Sequence, residues 1–247
     1  MDHELMSSFI SLDRFAEKYP SMSPYHYCMW NPIKFIDPSG DSAWAITNSW
    51  NDRYISQYRD RVKDIGQKYR ETGQKYTCED FALSVLIDFA SEHGLPVKIA
   101  NGTGVYDARS NAYSDVESFK NDVLKSTGAR DLQSKKNTLP TNKPSSGDIV
   151  VNRHANGIGH HIQLVWGGDQ ECLFLYQGNS NFLNSVPGAS RLGASSPGSL
   201  LYAGTGIELA IYNTKTDYYT NITTRKSTAG FSAKANIEYR KWNFYGF

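Results

Sequence analysis

The order of its periodic segments is the feature of this sequence that most constrains its fold, because helical patterns come first and strand patterns follow. Residues 44–69 carry apolar side chains at helical spacing, and a second helical pattern begins near residue 78. From residue 147 onward, short apolar runs are bounded by glycine and asparagine, which is typical of strands. This separation favours an α+β protein in which N-terminal helices pack on an antiparallel β-sheet.

The second helical pattern has recognisable start and stop signals. Thr77, followed by Asp80 three residues later, predicts an N-cap with a capping box. Gly94 and then Pro96 predict the end of the helix. Its buried face is predicted to contain Ala82, Val85, Leu86, Phe89 and Ala90.

Two further helices are predicted on either side of it. The first covers residues 44–69, and its buried face contains Ile55, Tyr58, Val62, Ile65 and Tyr69. The third covers residues 114–127, with Ser114 and Glu117 as its capping box. The helix over 44–69 is assigned to the scaffold.

Three strands are predicted in the second half of the chain. The first begins at Gly147-Asp148, the second covers 161–166 and the third covers 172–177. Because a short turn joins the second and third strands, they are predicted to pair as an antiparallel hairpin. The same signals predict a further strand over 207–212 and long loops over 133–146 and 183–206.

Charge and composition exclude several classes of function. The 247 residues include 26 Lys and Arg against 25 Asp and Glu, so no basic surface for nucleic acid is predicted. The 16 Tyr, 11 Phe and 5 Trp indicate a real hydrophobic core. No apolar run has the length of a membrane span, and the first residues carry no Sec signal peptide.

Cys78 is the strongest candidate for chemistry. As the first residue of the second helix, it would lie among unpaired amides and near the positive end of the helix dipole. Such a position lowers the pKa of a thiol and favours a nucleophilic thiolate, although Glu79 and Asp80 act in the opposite direction. The alternative is a buried cysteine that packs as a small apolar residue.

A thiol nucleophile needs a base, and the predicted hairpin offers one. His161 opens the second strand and shares a face with Gln163, while Gln177 in the third strand can lie across from it. A polar side chain there would accept the second imidazole N–H and fix its tautomer, with Asn179 as the other candidate. His160 is the alternative base, but strand alternation gives only one of the two histidines access to Cys78.

A metal site is the competing interpretation of these histidines. It would use His154, His160 and His161, with Cys172 as a fourth ligand, in a spacing that matches no common zinc motif. The three cysteines of the chain, including Cys28, lie far apart and form neither a disulfide framework nor a CxxC pattern. We therefore predict no metal and no cofactor.

The proline-rich N-terminal segment has a motif order of its own. It contains Asp13-Arg14-Phe15, Tyr25-His26-Tyr27, Trp30-Asn31-Pro32 and a closing Asp37-Pro38-Ser39-Gly40. This order resembles the C-terminal end of the RHS-repeat core of bacterial polymorphic toxins, with Trp30 where that family has asparagine. The resemblance implies an RHS-core remnant over 1–43 and a toxin domain over 44–247; the alternative is a short irregular arm. It also implies an RHS shell in the full-length protein, an immunity protein as partner, and delivery out of the producing cell.

The candidate residues also follow a known order along the chain. Cys78, Gly147-Asp148, His161 and Gln177-Gly178-Asn179 resemble the pattern of the NlpC-type and CHAP amidases of the papain-like superfamily. This resemblance implies a papain-like fold and an oxyanion hole that uses Gln74, just before the nucleophile. Gln177 stands where that family commonly has a carboxylate, so the imidazolium would be less stabilised.

The resemblance to those amidases implies a function. The expected activity is that of a cysteine amidase or endopeptidase that cleaves peptidoglycan peptide, or its link to glycan, as a toxin. Two alternatives remain open. The same chemistry could act on a protein substrate, as a protease, deamidase or transglutaminase, or the domain could bind without catalysis.

Overall fold

The computed structural model describes residues 42–73, 75–179 and 206–247. Its helices are α1 (Asp52–Glu71), α2 (Cys78–Glu92), α3 (Val116–Ser126) and α4 (Phe231–Ala235), with short 3-10 turns at Asp131–Gln133 and Phe244–Gly246. Its strands are β1 (Lys98–Asn101), β2 (Gly104–Asp107), β3 (Thr138–Pro140), β4 (Ile149–Arg153), β5 (Gly159–Gly168), β6 (Cys172–Gly178), β7 (Ile207–Asn213), β8 (Tyr218–Asn221), β9 (Lys226–Ala229) and β10 (Ile237–Trp242).

Eight of these strands form one antiparallel sheet in the order β3-β10-β4-β5-β6-β7-β8-β9. Strands β1 and β2 form a separate antiparallel hairpin. The predicted α+β class and the predicted hairpin of β5 and β6 are confirmed. The final strand, β10, lies next to the edge strand of the sheet and pairs with both β3 and β4.

Helix α2 lies at the centre of the fold and packs on β5, β6, α1 and α3. Its predicted apolar face is buried, and so is the opposite side, including Leu83, Ser84 and Ile87. A helix is buried all round when a sheet covers one side and other helices cover the other. Gly94, with φ +60°, follows its C-terminal end, as predicted.

Helices α1 and α3 begin at residues that the sequence pattern did not identify. Helix α1 starts at Asp52 and not at Trp44, because the preceding segment is held in an irregular conformation by contacts with distant residues. In that segment the Trp44 indole donates to Leu95 O at 3.0 Å and the Trp50 indole to Pro96 O at 2.7 Å. The capping box of α3 uses Asp115 and Ser118, one residue later than predicted.

The sheet has apolar residues on both faces. Ile162, Leu164 and Tyr176 belong to the core on the helix side, whereas Val165 and Leu175 belong to a smaller core on the other face. The C-terminal part of the chain contributes Tyr219, Phe231 and Ala235 to that second core. His161 and Gln163 alternate with Ile162 and Leu164, so they lie on the face of the smaller core.

Several predictions fall outside the described residues. These are the RHS-like segment up to residue 41, with Cys28, the oxyanion candidate Gln74, and the predicted loop up to residue 205. Of the predicted remnant, Ala43 is described and buried, and its amide donates to Ala108 O at 3.0 Å. None of the described helices is both long and apolar enough to cross a membrane.

Candidate active site

Cys78 is the first residue of α2, at the end of the helix that meets the sheet. Thr77 is the N-cap, as predicted, but its side chain makes no capping hydrogen bond. Gly178, at the end of β6, lies directly against the Thr77 backbone. The backbone of Ile162 in β5 forms a hydrogen bond with the thiol. The sulfur therefore meets the β5 backbone one residue from His161, beyond the last β5–β6 pair at Leu164 and Tyr176. The His161 side chain itself lies on the sheet face opposite to the core that contains Cys78.

Gly178 is required for this close approach. A Cβ at this position would overlap Thr77 O and lie 2.8 Å from Tyr76 O, and neither backbone atom can rotate away. We expect Gly178→Ala to lower the free energy of unfolding by about 2 kcal/mol, as measured by urea denaturation. The matched control is Gly102→Ala, where no atom lies within 4 Å of the added Cβ. Equal effects of the two substitutions would contradict this packing.

The electrostatic environment of Cys78 opposes the thiolate that its helix position predicts. Burial raises the pKa of the thiol well above its usual value, and the charge and hydrogen bond of Glu79 raise it further. The backbone hydrogen bonds from Ile162 and Glu79 lower it, but they are weaker than the burial. The thiol donates a hydrogen bond to Glu79 Oε2, with 2.9 Å between sulfur and oxygen. Cys78 is therefore a protonated thiol at neutral pH.

Removal of the Glu79 charge is expected to activate the thiol. We expect Glu79→Gln to accelerate alkylation of Cys78 by iodoacetamide at pH 7.5 about tenfold, because a pKa lower by one unit gives ten times more thiolate. Mass spectrometry of the Cys78 peptide distinguishes it from Cys172. Asp80→Asn is the control, since Asp80 lies in the same turn without hydrogen bonding to the thiol. Equal rates in wild type and Glu79→Gln would show that burial alone sets this pKa.

His161 is buried, and its imidazole is held by the neighbouring strand. Its Nε2 lies 3.2 Å from Gln177 Oε1. Burial lowers the pKa of this imidazole to about 4, against the opposite effect of the Gln177 hydrogen bond. The ring is thus neutral at pH 7. Because a carbonyl oxygen only accepts hydrogen bonds, Nε2 carries the proton and Nδ1 carries the lone pair of the base.

Gln177 reaches His161 from a register that differs from the prediction. The pairing of Leu164 with Tyr176 places Gln177 beside Gln163, so it approaches His161 on the diagonal. The Gln163 side chain donates to Gln177 Oε1 at 2.6 Å, and Tyr219 OH donates to the same oxygen at 3.1 Å. The amide nitrogen of Gln177 donates to Glu208 Oε2 at 3.1 Å.

Asn179, the second candidate for orienting the histidine, has a different partner. Its amide nitrogen donates to Glu208 Oε2 at 2.6 Å. Of the two candidates, Gln177 is the one whose side chain is hydrogen-bonded to His161. The Asn179 Oδ1 atom is buried and has no hydrogen-bond partner in that part of the chain.

His160 occupies a bulge and faces another histidine. Asn152 pairs with His161 and Arg153 pairs with Gly159, which leaves His160 as the extra residue of β5. Its ring stacks on His154 with centroids 4.2 Å apart. Burial and the neighbouring His154 lower the pKa of His160. The ring of His160 is thus in contact with His154, whereas the ring of His161 is hydrogen-bonded to Gln177.

Of the residues considered as metal ligands, His154 and His160 stack on each other, but Cys172 lies elsewhere. Cys172 begins β6, at the end opposite to Gln177. Within the described residues, no group of three His, Cys, Asp or Glu side chains is placed to hold a metal ion.

A buried polar network around Gln177 was not predicted from the sequence. Besides the candidates already named, its members are Asn152, Gln163, Glu208, Tyr219 and Asn221. The available signal was a lone carboxylate inside the apolar run of the 207–212 strand, which indicates a buried charge with polar partners. Comparison of the chain with protein-family models, with curated proteins and with solved structures found no match.

Proposed function

We propose that this protein is a cysteine amidase or peptidase that cleaves amide bonds by acyl transfer, with Cys78 as nucleophile and His161 as base. A papain-like arrangement would combine the helix-borne thiol with the strand-borne imidazole. The observation that carries the proposal is the pairing of two features. The thiol of Cys78 contacts the Ile162 backbone, and the adjacent His161 is hydrogen-bonded to Gln177 on the sheet face opposite to α2. Proton transfer to His161 Nδ1 therefore requires the sulfur to reach the imidazole where β5 and β6 are no longer paired, beyond Leu164 and Tyr176.

In the proposed reaction, Cys78 Sγ leaves Glu79 and attacks the amide carbonyl carbon while its proton passes to His161 Nδ1. The imidazolium then gives this proton to the leaving nitrogen, the C–N bond breaks and a thioester remains. Water attacks the thioester while His161 accepts one of its protons. That proton returns to Sγ as the acid product leaves, so the enzyme is regenerated.

The ground state of this pair is neutral rather than an ion pair. The raised pKa of Cys78 and the pKa of about 4 of His161 both favour a protonated thiol beside a neutral imidazole. Proton transfer must then accompany the attack on the carbonyl. The hydrogen bond from His161 to Gln177 stabilises the imidazolium that forms, because Gln177 Oε1 can accept from it throughout the reaction.

The proposed substrate is peptidoglycan, at a peptide bond or at the amide that joins peptide to glycan. The resemblance to the NlpC-type and CHAP amidases supports this choice. The RHS-like N-terminal motifs support a role as the toxin module of a delivered effector, with an RHS shell and an immunity protein as partners.

The test is incubation of purified peptidoglycan and, separately, of a bacterial protein extract with the chain. Mass spectrometry should detect muropeptides with a newly cleaved amide, and Cys78→Ala should give none of them. New protein termini or deamidated side chains without muropeptide change would overturn the choice of peptidoglycan and retain the chemistry. No Cys78-dependent product in either sample would overturn the proposed function.

A further inference from the structure

We infer that Glu208 is a positioning residue that sets the tautomer of His161 through the Gln177 amide; its catalytic role rests on the proposed function. Glu208 lies in β7, directly opposite Gln177 in β6. It is buried, with only 3 % of its surface exposed. A buried carboxylate is costly unless hydrogen-bond donors compensate it.

Three side-chain amides supply those donors. The nitrogens of Gln177, Asn179 and Asn221 donate to Glu208 Oε2, at 3.1 Å, 2.6 Å and 2.6 Å respectively. All three partners are neutral, so none of them balances the negative charge of Glu208. Charge-assisted hydrogen bonds of this kind are stronger than bonds between neutral groups.

The charge on Glu208 determines which way the Gln177 amide points. An ionised carboxylate only accepts hydrogen bonds, so the Gln177 nitrogen must face it. The Gln177 oxygen therefore faces His161 and can only accept from Nε2–H. A reversed amide would place its oxygen against the carboxylate and its nitrogen against three donors.

The other neighbours of Gln177 support the same orientation. Gln163 Nε2 and Tyr219 OH both donate to Gln177 Oε1, and Gln163 Nε2 also donates to Tyr219 OH at 3.0 Å. The carboxylate that the NlpC-type and CHAP amidases commonly have beside the histidine would thus have its counterpart one strand further away in this chain. Its effect reaches the imidazole through one amide.

The test reads the tautomer directly, independently of activity. In protein with ¹⁵N-labelled histidine at pH 7, long-range ¹H–¹⁵N spectra should show His161 as the Nε2–H tautomer alone, with its signals assigned by their loss in His161→Gln. Glu208→Gln removes the charge and allows the Gln177 amide to reverse. We expect Nδ1–H signals to appear and amide cleavage to fall about 10²-fold, since a wrong tautomer is known to impair such sites severely.

A paired substitution gives the sharper measurement. Gln177→Glu together with Glu208→Gln exchanges amide and carboxylate, which reverses the hydrogen bond between the two positions but leaves position 177 an acceptor for His161. A carboxylate at 177 accepts from His161, Gln163 and Tyr219, and it can also accept from the amide nitrogen at 208. We expect this variant to restore the Nε2–H tautomer and to raise the pKa of His161. If Glu208→Gln does not fold, the tautomer of His161 in the paired variant still tests the inference.

Glu171→Gln is the matched control, because Glu171 is an exposed carboxylate whose loss changes the net charge equally. Its spectra should equal those of wild type. A single Nε2–H tautomer in folded Glu208→Gln, or an Nδ1–H tautomer in the paired variant, would overturn the inference whatever the activity. A shifted tautomer in Glu208→Gln together with an inactive wild type would support the inference about position and reject the proposed function.

Discussion

Replacement of Cys78 by alanine is expected to reduce amide cleavage by at least about 10⁴-fold, which is the largest effect we expect in this protein. The reason is that the proposed reaction passes through a thioester on Sγ, which alanine cannot form. Steady-state hydrolysis of a peptide or muropeptide identified as substrate would measure the loss.

Two controls separate chemistry from folding in this experiment. Cys172→Ala should retain wild-type activity, since Cys172 lies at the opposite end of β6 from Gln177. Thermal unfolding should show that Cys78→Ala is folded, because a thiol replaced by a methyl group leaves only a small cavity. Wild-type turnover by a folded Cys78→Ala protein would refute the nucleophile.

The second large effect concerns acid stability. The pKa of His161 is about 4 in the folded protein, against an ordinary value of 6.5 in the unfolded chain. Below pH 6.5 the unfolded chain therefore binds a proton that the folded protein excludes, and stability falls until the pH passes the folded pKa. This linkage amounts to about 3 kcal/mol lost between pH 7 and pH 4.

The measurement is urea unfolding of wild type and His161→Gln at pH 7, 5.5 and 4. Glutamine can still donate to Gln177 Oε1 but does not titrate. Asp80 and Asp148, whose pKa values burial raises to about 6, change stability in the opposite direction, but they are common to both proteins and cancel in the difference. We expect His161→Gln to lose about 3 kcal/mol less than wild type, and parallel pH profiles would show that His161 is not buried neutral.

Local patterns predicted much of the scaffold and of the candidate site. The capping position of Thr77 and the apolar spacing after it predicted that Cys78 begins a helix, which is confirmed. The two-residue alternation in 161–166 and 172–177 predicted the hairpin and the common face of His161 and Gln177, whose side chains are in contact. A helix start and the alternation of side chains along a strand depend on neighbours within a few residues. They can therefore be predicted from the sequence of a single helix or strand.

Other features depend on residues that are distant in sequence. The register that brings Gln177 beside Gln163 follows from the pairing of whole strands, and so do the bulge at His160 and the position of Glu208. The N-terminal end of α1 is shifted because the indoles of Trp44 and Trp50 bond to a segment some fifty residues later.

The sequence alone determined that a cysteine begins a buried helix and that a histidine and a glutamine share one face of a hairpin. Only the tertiary structure decided the charge states of these groups. Helix position alone favours a thiolate at Cys78, but burial under the sheet and the neighbouring Glu79 raise its pKa. The pKa of a side chain depends on how much water surrounds it and which charges lie beside it, and both are set by the packing of segments that are far apart along the chain.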